Sequence, residues 1–193
     1  MTRFTNTFTH WFSSACTCVH LRTTLFALVL AAGAASAAQP LPEATQRDFP
    51  GLKELGEGRL RFLGLHVYDA SVWIPGAAYS PGEVFALEIR YAMSIKGKAL
   101  TERSIKEMRG LGYNDEAKLK RWSQEMDGVF PDLKPGDRLV GVNVPGKEAR
   151  FYSQDKLLGT VPDSEFARAF FAIWLDEKTS EPALRAKMLK LAP

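Results

Sequence analysis

Two guanidinium groups, Arg59 and Arg61, follow the run Gly56-Glu57-Gly58 and precede Tyr68 and Trp73. A guanidinium is charged at any accessible pH and presents a planar fork of donors. One that is partly buried in an apolar cleft therefore needs an anionic partner, either a ligand carboxylate or an oxyanion that develops during a reaction. Tyr68 can add a second donor, although an aromatic residue in a strand is also ordinary core material. The competing reading puts both arginines on a solvent face, opposite Leu60 and Phe62, with Glu57 or Glu88 as counter-charges. Strand phase separates the two readings. Positions 59 and 68 differ by an odd number, so in regular strands they point to opposite faces, and a shared site requires a bulge, best placed near Gly64.

Other chemistries find little material. There is no G-x-S-x-G elbow, no P-loop and no paired-histidine spacing. Downstream of residue 37 only His66 remains, inside a strand-like run, so a histidine-rich metal site cannot be assembled and no metal is expected. Gly56-Glu57-Gly58 neither follows a convincing strand nor opens a helix, so it reads as a turn and not as a dinucleotide fingerprint. Asp115-Glu116 and Asp176-Glu177 lie at helix ends, where the helix dipole accounts for them. No cofactor is implied.

The elements that must position these residues follow from periodicity. Ala38 to Pro50 is a polar lead-in without a period, read as an exposed approach or a short edge piece. Arg59 to Ile74 is rich in β-branched and aromatic residues and reads as one long strand or a bent pair. In Val84 to Met93, Phe85, Leu87, Ile89 and Tyr91 alternate with Val84, Ala86, Glu88 and Arg90, the pattern of a strand apolar on one face. Lys98 to Leu111 carries Leu100, Ile105, Met108 and Leu111 on a helical stripe, with Glu102/Lys106 and Arg103/Glu107 at i,i+4 spacing. Asn114 is placed to cap a second helix with the stripe Leu119, Trp122 and Met126. Arg138 to Val144, Glu148 to Ser153 and Lys156 to Val161 are joined by short turns and so form an antiparallel meander. Behind Asp163 or Ser164, the residues Phe166, Phe170, Ile173 and Trp174 mark the most hydrophobic helix, which must pack on the sheet. Thr179 or Ser180 caps a last helix with Leu184, Met188 and Leu191. Strands, a helical pair, more strands and then helices describe an α+β domain, with helices on one face of a largely antiparallel sheet.

The first 37 residues stand apart. They hold two basic residues (Arg3, Arg22), no Asp or Glu, and both cysteines. After Arg22 an apolar run ends in Ala35-Ser36-Ala37, the A-x-A form of a secretory signal, with cleavage expected after Ala37 and a periplasmic or secreted product. The apolar run from Leu25 to Ala38 spans 14 residues, against roughly 20 for a membrane-crossing helix, and makes a poor anchor. Taking two from the 25 basic residues leaves 23 against 22 acidic ones in the remaining 156 residues. So even a balance gives no footprint for nucleic acid and no polybasic membrane patch. No cysteine survives, which removes thiol chemistry. The expected organisation is a cleaved signal over 1–37, a lead-in over 38–48 and one domain over 49–193.

Gly56-Glu57-Gly58-Arg59, His66-Val67-Tyr68-Asp69-Ala70-Ser71-Val72-Trp73, Phe85 to Tyr91, and Asp163 to Leu175 with Leu184-Arg185 together resemble the secreted bacterial branch of the chalcone isomerase-like family, over about Phe49 to Leu191. The resemblance implies an open-faced β-sandwich, a long antiparallel sheet with helices layered on one face and a ligand cleft between them. Plant enzymes of the family close a chalcone to a flavanone by adding a phenolate to an enone. Their cleft uses an arginine after a Gly-rich turn, a hydroxyl on the following strand and a tyrosine on a later segment. A non-catalytic branch holds a fatty-acid carboxylate with the same arginine and a tyrosine. Carried over, the arginine falls on Arg59, with Arg61 as competitor, and the strand hydroxyl on Tyr68. The later tyrosine falls near Leu100, which has no hydroxyl; an Arg-Tyr pair suffices to clamp a carboxylate, while the network around an enone oxygen is left incomplete.

The resulting expectation is cofactor-free, non-catalytic binding of a small apolar anion by Arg59, or Arg61, and Tyr68, with walls from Leu100, Met108 and Trp122. The alternatives are an intramolecular lyase of the chalcone isomerase type, in which Arg59 stabilises a phenolate or enolate, and an envelope interaction module with a vestigial cleft.

Overall fold

The computed structural model describes residues 39–192; the expected signal segment lies outside the described residues. The order of elements is α1 (Glu43–Asp48), β1 (Lys53–Phe62), β2 (Leu65–Ile74), β3 (Phe85–Tyr91), α2 (Gly97–Gly110), α3 (Glu116–Val129), β4 (Arg138–Val144), β5 (Glu148–Tyr152), β6 (Leu157–Val161), α4 (Ser164–Leu175) and α5 (Pro182–Met188). The strands form one antiparallel sheet in sequence order, β1 to β6. This is the α+β arrangement expected from the patterning.

Alternation on β3 shows how the layers arise. Phe85, Leu87, Ile89 and Tyr91 face the helices and enter the main core, while Ala86 faces the back of the sheet and joins a smaller cluster with Trp73, Val140, Val142 and Tyr152. On the helical side α4 lies against β4 and β5, α5 against β1 and β2, α3 against β6, and α2 against α3 and α4. Asp163 fixes the start of α4: its Oδ1 accepts from the backbone N–H groups of Glu165 (2.8 Å) and Phe166 (3.0 Å), and its Oδ2 accepts from Trp122 Nε1 at 3.0 Å. One carboxylate thus caps α4 and ties it to α3.

Two expectations are corrected. Gly56 and Gly58 are not a turn; both lie inside β1. A Cβ on Gly56 would stand 2.7 Å from the carbonyl oxygens of Lys187 and Met188, and one on Gly58 would stand 2.6 Å from Leu184 Cδ1. The glycines let the backbone of α5 press directly on an edge strand. The lead-in is not an exposed approach either. Leu41, Ala44 and Thr45 are buried against the back of the sheet, Arg138 Nη2 donates to Pro40 O at 2.7 Å, and the Tyr152 hydroxyl donates to Asp48 Oδ2 at 2.7 Å. Beneath that cover the buried Glu88 carboxylate accepts from Arg138 Nε and, at 3.4 Å, from Ser71 Oγ.

Candidate ligand cavity

A cavity of about 270 Å³ opens between the β1–β3 end of the sheet and the helices α2 and α4. Cross-strand register builds its floor. Leu60 pairs with Tyr68 and Tyr68 with Tyr91, so the three side chains form one row on the helical face. The two phenol rings meet edge to face with centroids 6.0 Å apart. Helix α2 supplies Leu100, Arg103, Ser104 and Glu107, and α4 supplies Ile173 and Trp174. The four positions on α2 are i, i+3, i+4 and i+7, one face of a helix.

The polar groups in this setting are few. Trp174 Nε1 donates to the Tyr68 hydroxyl at 2.9 Å. Neither the Tyr68 nor the Tyr91 hydroxyl hydrogen finds an acceptor among the described residues. Burial pushes the Tyr68 phenol up to about 12, the Trp174 bond opposing it only in part. Burial, with the neighbouring Tyr68 second, holds Tyr91 higher still. Both are therefore neutral donors at physiological pH. At the rim Arg103 Nη2 pairs with Glu107 Oε1 at 2.6 Å, with the Arg103 side chain 59% exposed. The other Glu107 oxygen accepts from Ser180 Oγ at 2.9 Å.

The expected residues separate. Tyr68 lines the cavity; Arg59 and Arg61 do not. Arg59 pairs in register with Asp69, on the face opposite Tyr68. Its Nε donates to Asp69 Oδ1 at 2.6 Å and its Nη2 to Oδ2 at 3.3 Å. Arg61 is exposed and donates to Gly64 O at 3.3 Å. The expected bulge does occur, but it acts on other residues. Register passes from Leu60↔Tyr68 to Arg61↔His66 and skips Val67. Val67 and Tyr68, adjacent in sequence, accordingly both line the cavity, while His66 comes round to Asp69, Nε2 to Oδ1 at 3.1 Å. Burial works to raise the Asp69 carboxyl, but the Arg59 hydrogen bonds and the His66 and Arg59 charges outweigh it and hold Asp69 below the usual range.

Of the expected walls, Leu100 is present, whereas Met108 and Trp122 are buried in the main core and do not reach the cavity. The cation that borders it is Arg103. Its spacing from Leu100 and Glu107 was the available signal, read in the sequence only as an i,i+4 pair. Three larger hollows, one beside Tyr79 and Arg168, one beside Phe49 and Val84 and one beside Arg121 and Lys147, open elsewhere. The smaller cavity is the stronger candidate because apolar walls converge there on buried hydroxyls.

Comparison with known proteins bears on this geometry. A family model described as chalcone isomerase-like matches residues 38–190. An uncharacterized protein of Haemophilus influenzae is 28% identical over 142 residues, which span 73% of this chain and 69% of that protein. A solved structure of a fatty-acid binding protein from Arabidopsis thaliana is similar with a TM-score of 0.56 at 13% identity, covering 72% of this chain and 87% of that one. At that identity the likeness is one of fold.

Proposed function

The chain belongs to the chalcone isomerase-like family, and on that premise we propose that it is a non-catalytic binding protein for a small apolar anion of the fatty-acid carboxylate kind. The observation that carries this reading is the pair of neutral phenols, Tyr68 and Tyr91, whose hydroxyl hydrogens lack acceptors inside an apolar hollow. A phenol proton that faces the hollow is free to be donated to a guest, and a carboxylate or carbonyl oxygen would accept it. Arg103 replaces Arg59 as the counter-charge: its side chain is 59% exposed at the rim, so its guanidinium can turn to a ligand carboxylate, while Glu107 keeps the hydrogen bond from Ser180 Oγ. At about 270 Å³ the hollow falls just under the roughly 300–1,000 Å³ of drug-sized sites, so a short chain fits better than a long one. The similarity to a fatty-acid binding protein supports the same ligand class. The reading includes export, with Ala38 as the first residue of the working protein.

Calorimetric titration with decanoate tests it. Tyr68→Phe is expected to weaken binding about tenfold and Arg103→Ala several-fold, while Arg59→Ala changes nothing. Wild-type affinity in Tyr68→Phe overturns the site. The same protein is expected to leave the absorbance of a hydroxychalcone unchanged, and a rate above background would restore the lyase alternative.

A further inference from the structure

The β1–β2 hairpin turns on Leu63-Gly64, with Phe62 paired to Leu65 across the turn. Both turn residues have positive φ, 48° at Leu63 and 82° at Gly64. A two-residue turn of this kind favours Asn-Gly or Asp-Gly, because a branched apolar side chain is disfavoured in the left-handed region. Leucine is therefore a poor choice for folding the turn, and it is also 87% exposed. Phe62 (64%), Leu65 (65%) and Met93 (40%) are exposed too, so four of the six exposed large hydrophobic residues among those described gather at one end of the molecule. That end is the mouth of the cavity: Phe62, Val67 and Met93 line it.

We propose that the Phe62–Leu65 tip docks the protein reversibly on a lipid bilayer bearing anionic headgroups, with the cavity mouth turned to the surface. A convex tip needs a yielding apolar medium, whereas a protein partner would have to offer a matching socket. Tip-to-tip contact between two copies would bury four side chains, short of the roughly 1,200 Å² typical of a stable interface. Charge favours headgroups. No acidic residue lies between Glu57 and Asp69, Asp69 is engaged by Arg59, and Arg61, whose guanidinium donates to Gly64 O at the turn, has no ion pair among the described residues. The proposed contact is peripheral, apolar first and electrostatic second. The proposal goes beyond the ligand reading and does not require it.

Leu63→Asn supplies the test, since it suits the turn while removing the apolar tip. With protein recovered after export, flotation on phosphatidylcholine vesicles containing phosphatidylglycerol should show wild-type binding that exceeds binding to phosphatidylcholine alone. Leu63→Asn should lower it at least about tenfold while its Tm stays equal or rises. Equal vesicle binding by Leu63→Asn overturns the proposal, as does a tip-dependent dimer in sedimentation without vesicles. Tyr68→Phe should float like the wild type, so failure of the cavity reading and failure of the docking proposal are distinguishable.

Discussion

Tyr68 carries a proton that the fold refuses to release. Its phenol is pushed up to about 12 from an ordinary 10.0, first by burial. In the unfolded chain it would ionise near 10, so between about 10 and 12 the folded state holds the proton and the unfolded state does not. The contribution of Tyr68 to stability is accordingly whole below pH 10 and lost as pH climbs through 12, a loss of roughly 2–3 kcal/mol when complete. Tm measured against pH should fall in that alkaline window, and Tyr68→Phe should fall less steeply; identical slopes would mean that the phenol is solvated. Carboxylate affinity, by contrast, should be level between about pH 6 and about pH 9, where the phenol stays a donor.

Elements were legible where their own residues face one way. The alternation of Phe85 to Tyr91, the meander from Arg138 to Val161 and the stripe Phe166-Phe170-Ile173-Trp174 each encode a local period, and β3, β4 to β6 and α4 sit within a residue or two of those spans. Caps moved by one or two residues, from Asn114 to Asp115 and from Thr179 or Ser180 to Glu181. What stayed hidden depended on partners distant in sequence. Gly56 and Gly58 look like punctuation until α5, about 130 residues later, lies across them. Arg59 looked like the cleft cation because its face depends on register with Asp69, which the sequence does not display. Gly56→Ala tests the close approach. The new methyl meets backbone oxygen at 2.7 Å, not a side chain that could swing away. It should lower stability by about 1–3 kcal/mol and loosen α5. Hydrogen exchange of the α5 amides would report it, and protection equal to the wild type would show that the contact is slack.

The sheet divides the molecule into two cores of unequal depth. The helical side holds the cavity and most of the buried aromatic rings, while the back holds a thin cluster sealed by residues 39–49. Under that seal lies Glu88, 1% exposed, tied to Arg138, and a buried ion pair is tolerable only while its remaining hydrogen-bonding groups are satisfied and water is kept away. Pro40 O supplies one such partner to Arg138, and Asp48 supplies another to Tyr152. Removing residues 39–48 strips Leu41 and Ala44 from Trp73, Val140 and Val142 and leaves both donors without their acceptors. Summing one leucine, one alanine and two hydrogen bonds gives about 4 kcal/mol or more, a drop in Tm of roughly 8–16 °C for a domain of this size. Because the sheet separates this cluster from Tyr68 and Arg103, decanoate affinity measured well below the new Tm should survive the truncation. An unshifted melting curve would show that the segment merely rests on the sheet, whereas joint loss of stability and affinity would mean that the two faces are coupled through β2 and β3, the strands that carry both Glu88 and the tyrosine floor.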